Sequence, residues 1–329
     1  MKLGRISRDG IDGPEARLVA VLPEQGRAVD LRTAERLRLV GRGATPEAGT
    51  RLAAATFPGS MTSAIGAGPA FLEAAHEALT RCGDDASLDL EGLTWLPAVD
   101  PPVMRDCMAF KEHLTNAAAR LGQEVHPIAY ELPAYYKASQ SSLIGHEQVV
   151  PWPAYTNWMD YELELGFVIG RAGRNLTPEQ AGAHLFGVTI YNDFSARDIQ
   201  GREMQLNLGP AKGKDFATAV GPWITTVDEL DLADLDMRAR VNGEEWSHGN
   251  AGSIWWSPAE LIAYVSWGEN LQPGDLIGSG TVGRGCGLEL GRRLQPGDVV
   301  ELEVAGIGVL RNRLAQPERE GREPTPRPR

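Results

Sequence analysis

An α+β fold rich in short strands is what this sequence predicts, and three observations point to it. Glycine (38) and proline (22) supply 60 of the 329 residues, which favours many turns over a bundle of long helices. The run Tyr161 to Ile169 alternates with the period of a strand. Two segments, Thr177-Pro178 with Gln180 and Ser257-Pro258 with Glu260, carry complete signals for short helices: an N-cap, a proline at the first helical position and a capping-box partner. With 42% apolar and 23% charged residues the chain can bury a sizeable core.

Taken in order, residues 1–97 alternate short apolar runs such as Leu18 to Leu22 with charge and glycine, and read as a small amino-terminal domain. They include an amphipathic helix over Pro69 to Arg81 that stops where Gly83 follows Cys82, a left-handed helix end. Three prolines between Leu96 and Pro102 mark a boundary, after which residues 98–314 form the larger unit. The stretch RDCMAFKEHLTNAAARLG has helical character and ends near Gly122. In the strand that follows, Tyr161, Leu163, Leu165, Phe167 and Ile169 point one way and Glu162, Glu164, Gly166 and Val168 the other. The Thr177 helix should reach about Leu185, and Phe186 to Tyr191 should be a buried strand that delivers Asn192 and Asp193 at its end. The Ser257 helix should run to about Trp267. Two copies of LQPGD, at 271–275 and 294–298, are turns ahead of apolar strands and are too short to signal a duplicated fold. Residues 315–329 have no apolar period and read as a disordered tail.

A formal charge of -12, from 44 acids against 32 bases, argues against nucleic acid or an anionic membrane as partner, because both need a basic face. Cys82, Cys107 and Cys286 are odd in number, widely spaced and match no zinc pattern, which fits a reducing cytosol. The first residues lack the apolar core of a signal peptide, and no stretch approaches the roughly 20 apolar residues of a membrane span. A soluble, cytoplasmic protein is expected.

Chemistry enters with Glu162 and Glu164, whose two-residue spacing on a strand puts their carboxylates on one face, with the Cα atoms about 6 to 7 Å apart. One hard cation would bridge them; a solvated strand face would look the same. Asp193, directly after an apolar strand, adds a third oxygen donor of the kind that suits magnesium or calcium, whereas zinc would recruit His or Cys. Asp106 and His113 are seven apart, two turns of a helix, so both side chains would share a face; Asp106 equally serves as that helix's N-cap. Arg197 and Gln200 follow Asp193 by four and seven residues and would project together from a helical turn. Lys214 sits in the glycine-rich segment LGPAKGKDFAT, which is either a mobile surface loop or a place of close backbone approach, and which lacks the P-loop spacing. A second glycine-rich stretch, SGTVGRGCGLELG, surrounds Thr281 and ends in Glu289. His76, His126, His146, His184 and His248 have no acid or cysteine at a ligand-like spacing.

Together these segments resemble the fumarylacetoacetate hydrolase family. The resemblance runs from Asp106 to Glu289 through DYELELG, NDFSARDIQ, LGPAKGKDFAT and GDLIGSGTVGRGCGLELG, in order. It implies a catalytic domain with a mixed β-sandwich roll, usually a homodimer, that holds one divalent cation, Mg2+ or else Ca2+ or Mn2+, against a small anionic 1,3-diketo or 2-oxo acid. By matching positions, Asp106, Glu162, Glu164 and Asp193 would ligate the metal. His113 would be the base on water, with Glu289 polarising it. Arg197, Gln200 and Lys214 would attend the carbonyl and leaving-group oxygens, and Tyr136 and Thr281 would contact the substrate carboxylate. The implied activity is hydrolysis of carbon–carbon bonds in ketonic substances, with a metal-stabilised enolate as leaving group; a hydratase, isomerase or oxaloacetate-type decarboxylase on the same site is the alternative. The chain departs from the animal enzymes at Met108, where they have a substrate-touching tyrosine, and at Ala217, where they have glycine.

Overall fold

The computed structural model describes residues 1–10, 13–81, 84–319 and 327. Ten strands form the path of one large sheet, and the order in which they lie is Ser87–Asp89, Arg27–Asp30, Gly13–Leu22, Lys2–Gly10, Thr218–Thr226, Leu185–Asp193, Leu163–Ile169, Leu276–Gly278, Met104–Cys107 and Tyr135–Ala138. Two short strands, Thr94–Trp95 and Leu143–Ile144, pair off this path with Lys2–Gly10 and Thr218–Thr226. A second, five-stranded sheet runs Glu244–Asn250, Asp236–Val241, Val299–Val304, Gly308–Pro317 and Val149–Trp152. A two-stranded sheet pairs Met159–Asp160 with Ser195–Ala196. The predicted β-rich α+β architecture is therefore what the chain adopts, and its two larger sheets pack face to face.

Residues 1–97 and 98–314 share the large sheet. Lys2–Gly10 pairs antiparallel with Thr218–Thr226, so the amino-terminal strands extend the sheet that carries the candidate site. Alternate residues on single strands enter two different cores. Val19, Val21, Leu165 and Phe167 face the layer containing Met237, Ala239, Val300 and Leu302 of the smaller sheet. Leu18, Ala20, Val168 and Tyr191 face the layer containing Phe57, Met61, Ile65 and Phe71 from the amino-terminal helices. Both faces of the large sheet are covered, which is why all seven residues of Leu163–Ile169 are buried. Of the two readings left open for the face of Glu162 and Glu164, a cation site or a solvated strand face, the second does not hold, because both side chains are inside the protein.

Local signals held well. The helix Pro69–Arg81 forms as expected, while its end at Cys82 and Gly83 lies outside the described residues. Both capping boxes are made, at Thr177 with Gln180 and at Ser257 with Glu260. The first helix is shorter than expected: α-helix Pro178–Ala181 tightens to a 3-10 turn at Gly182–His184 and gives way to the strand at Leu185. Gly274 and Gly297 of the two LQPGD turns have φ of 83° and 90°, the left-handed conformation that glycine adopts without steric cost.

Two readings change. Asp106 is not on a helix: Met104–Cys107 is a buried strand, and the helix starts at Lys111, with Phe110 as its N-cap. The helical periodicity of the segment was real only from Lys111 onward, and neighbouring strands claim the four residues Met104 to Cys107. Gly308–Pro317 carries an ordered strand three residues past position 314, because its end pairs in parallel with Val149–Trp152 and Trp152 accepts from the Glu318 amide at 2.9 Å. Among the described residues no helix is long and apolar enough to cross a membrane.

Candidate active site

Strand register builds the site. Tyr136 lies opposite Asp106, Asp106 opposite Gly278, Gly278 opposite Gly166, Glu164 opposite Tyr191 and Asp193 opposite Thr218. Paired residues on neighbouring strands project to the same face, as do residues two apart on one strand. Asp106, Glu162, Glu164 and Asp193 therefore converge from three strands of one sheet face. Gly278 is what lets them meet. It stands between Asp106 and the strand of Glu164, and a Cβ there would come within 3.1 Å of Asp106 Cγ and 3.3 Å of Glu164 Oε2.

One oxygen each from Asp106, Glu164 and Asp193 lie within 4.8 Å of one another, and all three side chains are buried. Two unit charges at that separation repel by about 3.5 kcal/mol at an effective dielectric constant of 20. Burial, and then the neighbouring Asp193, push the Asp106 carboxyl well above its ordinary range. Burial, then Asp106, do the same to Glu164. Without a cation these groups favour their protonated forms. Asp106 Oδ1 and Asp193 Oδ1 are buried with no hydrogen-bond partner, although buried carboxylate oxygens are normally satisfied. An oxygen-only donor set, two free buried oxygens and a glycine-floored cradle fit a hard divalent cation.

Glu162 stands apart from this trio. Its Oε1 accepts from Arg197 Nη2 at 2.8 Å, and its Oε2 contacts Lys214 Nζ, which also reaches Asp193 Oδ2. Burial raises the Glu162 carboxyl, but Arg197 and then Lys214 outweigh it and hold Glu162 well below the usual carboxylate range. Lys214 is buried, and although burial disfavours its charge, Asp193 and Glu162 keep its ammonium protonated. The loop before it is no mobile surface segment at this point: a Cβ on Gly213 would fall 2.7 Å from Gln200 Cα, so only glycine lets Lys214 come this close to the Arg197 helix.

His113, on the helix Lys111–Arg120, pairs through Nδ1 with Glu289 Oε2 at 3.1 Å. The Arg284 amide donates to Glu289 Oε1 at 3.1 Å and fixes which oxygen faces the imidazole. This pair adjoins the carboxylates: Cys286 forms a β-bridge with Glu162, and a charged His113 lowers the proton affinity of the Glu162 carboxyl.

The remaining expected residues lie here with different partners. Gln200 Oε1 accepts from Arg197 Nη1 at 3.2 Å. Tyr136 donates its hydroxyl to Asp193 Oδ2 at 2.6 Å, and Thr281 donates to Glu164 Oε1 at 3.2 Å. Both therefore orient carboxylates. Met108 is half-exposed just past the Asp106 strand, and Ala217 is buried.

A profile of the fumarylacetoacetate (FAA) hydrolase C-terminal family matches residues 103–315. The chain belongs to the fumarylacetoacetate hydrolase family. Oxaloacetate tautomerase YisK of Bacillus subtilis (strain 168) is 31% identical over 267 residues, 79% of this chain and 87% of that one. The solved fumarylacetoacetate hydrolase from Exiguobacterium antarcticum is 26% identical, covers 96% of this chain and 99% of its own, and superposes with a TM-score of 0.71. The maleylpyruvate hydrolase of Sphingobium sp. SYK-6, solved with manganese(II) and pyruvate, shares the fold at 22% identity, covering 97% of this chain and 100% of its own, with a TM-score of 0.70. Family members thus include hydrolases and a tautomerase.

Sequence reasoning missed Asp160. It is fully buried, accepts from Arg197 Nε at 2.9 Å and takes the Gly287 and Leu288 amides at 2.8 and 2.9 Å, so it ties Arg197 to the turn that carries Glu289. The signal was available, since Asp160, Glu162 and Glu164 are successive acids at period 2. Asn192, Ser279 and Cys286 were missed as well. Asn192 accepts the Glu162 amide at 3.0 Å, and Ser279 accepts the Leu165 amide at 3.0 Å.

The Gly278 cradle makes a sharp prediction. Gly278→Ala drives a methyl into the Asp106 and Glu164 carboxyls, and because φ there is not positive the backbone itself tolerates alanine. The variant should fold and lose measurable Mg2+ or Mn2+ binding by calorimetry; parent-like affinity would show that the cation does not sit between those two carboxylates.

Proposed function

We propose that this protein is a metal-dependent hydrolase that cleaves the carbon–carbon bond of a 1,3-diketo acid of acylpyruvate or fumarylacetoacetate-like type. The observation that carries this reading is the His113–Glu289 pair, at 3.1 Å, beside a buried carboxylate cluster. Asp106, Glu164 and Asp193, with Glu162 alongside, would hold the cation, of which Mg2+ is our choice. When bound, the cation draws electron density from the substrate's carbonyl oxygens and stabilises negative charge on the leaving fragment.

The protein's own groups supply the rest. Glu289 accepts from His113 Nδ1–H, which leaves the Nε2 lone pair free to take a proton from water and then stabilises the imidazolium. Water gives its hydroxyl to the acyl carbon and its proton, through His113, to the carbon that leaves. One carboxylic acid results, together with a 2-oxo acid from an acylpyruvate or a 3-oxo acid from a fumarylacetoacetate-like substrate. Lys214 and Arg197 are positive in a strongly acidic protein and would favour an anionic substrate over water in the site. The manganese(II) and pyruvate of the Sphingobium structure are a cation and a product of the kind this reading requires.

A second reading is favoured by the 31% identity with an oxaloacetate tautomerase. There the same base would move a proton between carbon and oxygen of a 2-oxo acid, and no water would be consumed. Incubating the protein with acylpyruvates and with enol oxaloacetate, in Mg2+ and in EDTA, separates the two. Hydrolysis in H2 18O places label in a new carboxylate. Faster enol-to-keto conversion with no fragments and no label would overturn the hydrolase assignment.

A further inference from the structure

Cys286 is a fully buried thiol that the proposed chemistry does not use. Its Sγ lies 3.5 Å from Glu289 Oε2, the oxygen that also meets His113 Nδ1 at 3.1 Å. All three donor atoms fall within 4.8 Å of one another. A tetrahedral zinc ion with bonds of about 2.0 Å to nitrogen and oxygen and about 2.3 Å to sulfur sets its nitrogen and oxygen ligands about 3.3 Å apart and its sulfur and oxygen ligands about 3.5 Å apart. The 3.1 Å and 3.5 Å separations match those edges. The donors are also held in place: Cys286 by its β-bridge to Glu162, and Glu289 by the Arg284 amide on its other oxygen.

We infer that His113, Cys286 and Glu289 form a second metal site, selective for Zn2+, separate from the oxygen-only carboxylate cluster, and that Zn2+ bound there switches the enzyme off. Thiolate and imidazole donors favour zinc, while the carboxylate cluster suits harder ions. Three protein ligands leave the fourth position of the zinc to water. Binding releases the Cys286 thiol proton to solvent and takes the Nδ1 lone pair of His113. The ring's one proton then sits on Nε2, and that nitrogen can no longer accept from water. The inhibitory half of this proposal rests on the water-activating role of His113 and Glu289; the metal-binding half does not.

The test uses the full chain saturated with Mg2+. Added Co2+, which takes zinc's place as a coloured probe, should give a near-ultraviolet thiolate-to-metal charge-transfer band in the parent and in Cys107→Ser, and none in Cys286→Ser or Cys286→Ala. Zn2+ should inhibit turnover at a concentration that extra Mg2+ does not raise, and half-inhibition of Cys286→Ser should need at least about tenfold more Zn2+. A parent without the band, a band lost with Cys107 instead, or inhibition equal in Cys286→Ser or relieved by Mg2+, would overturn the site. The band needs no turnover, so it reports on the metal site even where hydrolysis fails.

Discussion

Replacing His113 with alanine, or Glu289 with glutamine, should lower kcat by roughly 10²- to 10⁴-fold, the usual contribution of a positioned general base, while calorimetric affinity for Mg2+ stays within a few fold of the parent. The glutamine variant is the more telling one. Its amide keeps the size of Glu289 and still accepts from the Arg284 amide, but where Glu289 accepted, its nitrogen presents a donor to His113 Nδ1. The imidazole then turns to the tautomer that carries its proton on Nε2, and the base is lost with the ring still in place. A merely structural pair would respond otherwise. His113 is mostly buried, with a side chain 12% exposed, so its truncation also costs stability, whereas Glu289→Gln keeps both side chains in place and should leave the melting temperature near that of the parent. Turnover within a few fold of the parent in either variant would remove the water-activating role.

Saturating Mg2+ or Mn2+ should raise the melting temperature by about 4 °C, and EDTA should reverse the rise. At a free concentration 100 times the dissociation constant, binding to the native state adds about 2.7 kcal/mol, and an unfolding entropy near 2.1 cal/mol/K per residue over the 329-residue chain turns this into that shift. The cause is the buried trio of Asp106, Glu164 and Asp193, which the cation lets ionise together and binds as carboxylates. Glu164→Ala should abolish both the shift and the activity. Its own cost to the metal-free protein is limited by two opposed terms. The Gly280 amide and the Thr281 hydroxyl lose their acceptor, at about 1 to 3 kcal/mol for each donor left buried, and the repulsion with Asp106 disappears. Scanning fluorimetry with and without metal reads all of this; a metal shift of parent size in Glu164→Ala would refute the ligand set.

Much of this was legible in the chain itself. Both capping boxes, the strand around Phe167, the turn glycines and the strand ending in Asp193 follow from local stereochemistry, and local stereochemistry is written in consecutive residues. The motifs around Asp106, Glu162, Asp193, Lys214 and Glu289 gave the family, and the profile match over 103–315 agrees. Asp106 was misplaced on a helix because a helical period does not show where it begins. Only the pairing of Met104–Cys107 with its two neighbours decides that.

The sequence by itself determined the turn-rich α+β class, the candidate acids and bases, and the family to which they belong. Tertiary structure alone decided that the polar face of Leu163–Ile169 is buried, because amino-terminal helices distant in sequence cover it. It decided that Gly278 opens the floor between Asp106 and Glu164, that Arg197 pairs with Glu162 while Lys214 bridges Glu162 and Asp193, and that Cys286 sits on the Glu289 oxygen that His113 uses. The reason is one of range. Capping, alternation and turns depend on neighbours a few residues apart, whereas His113 and Glu289 are 176 residues apart, and strand register alone sets which carboxylates share a face.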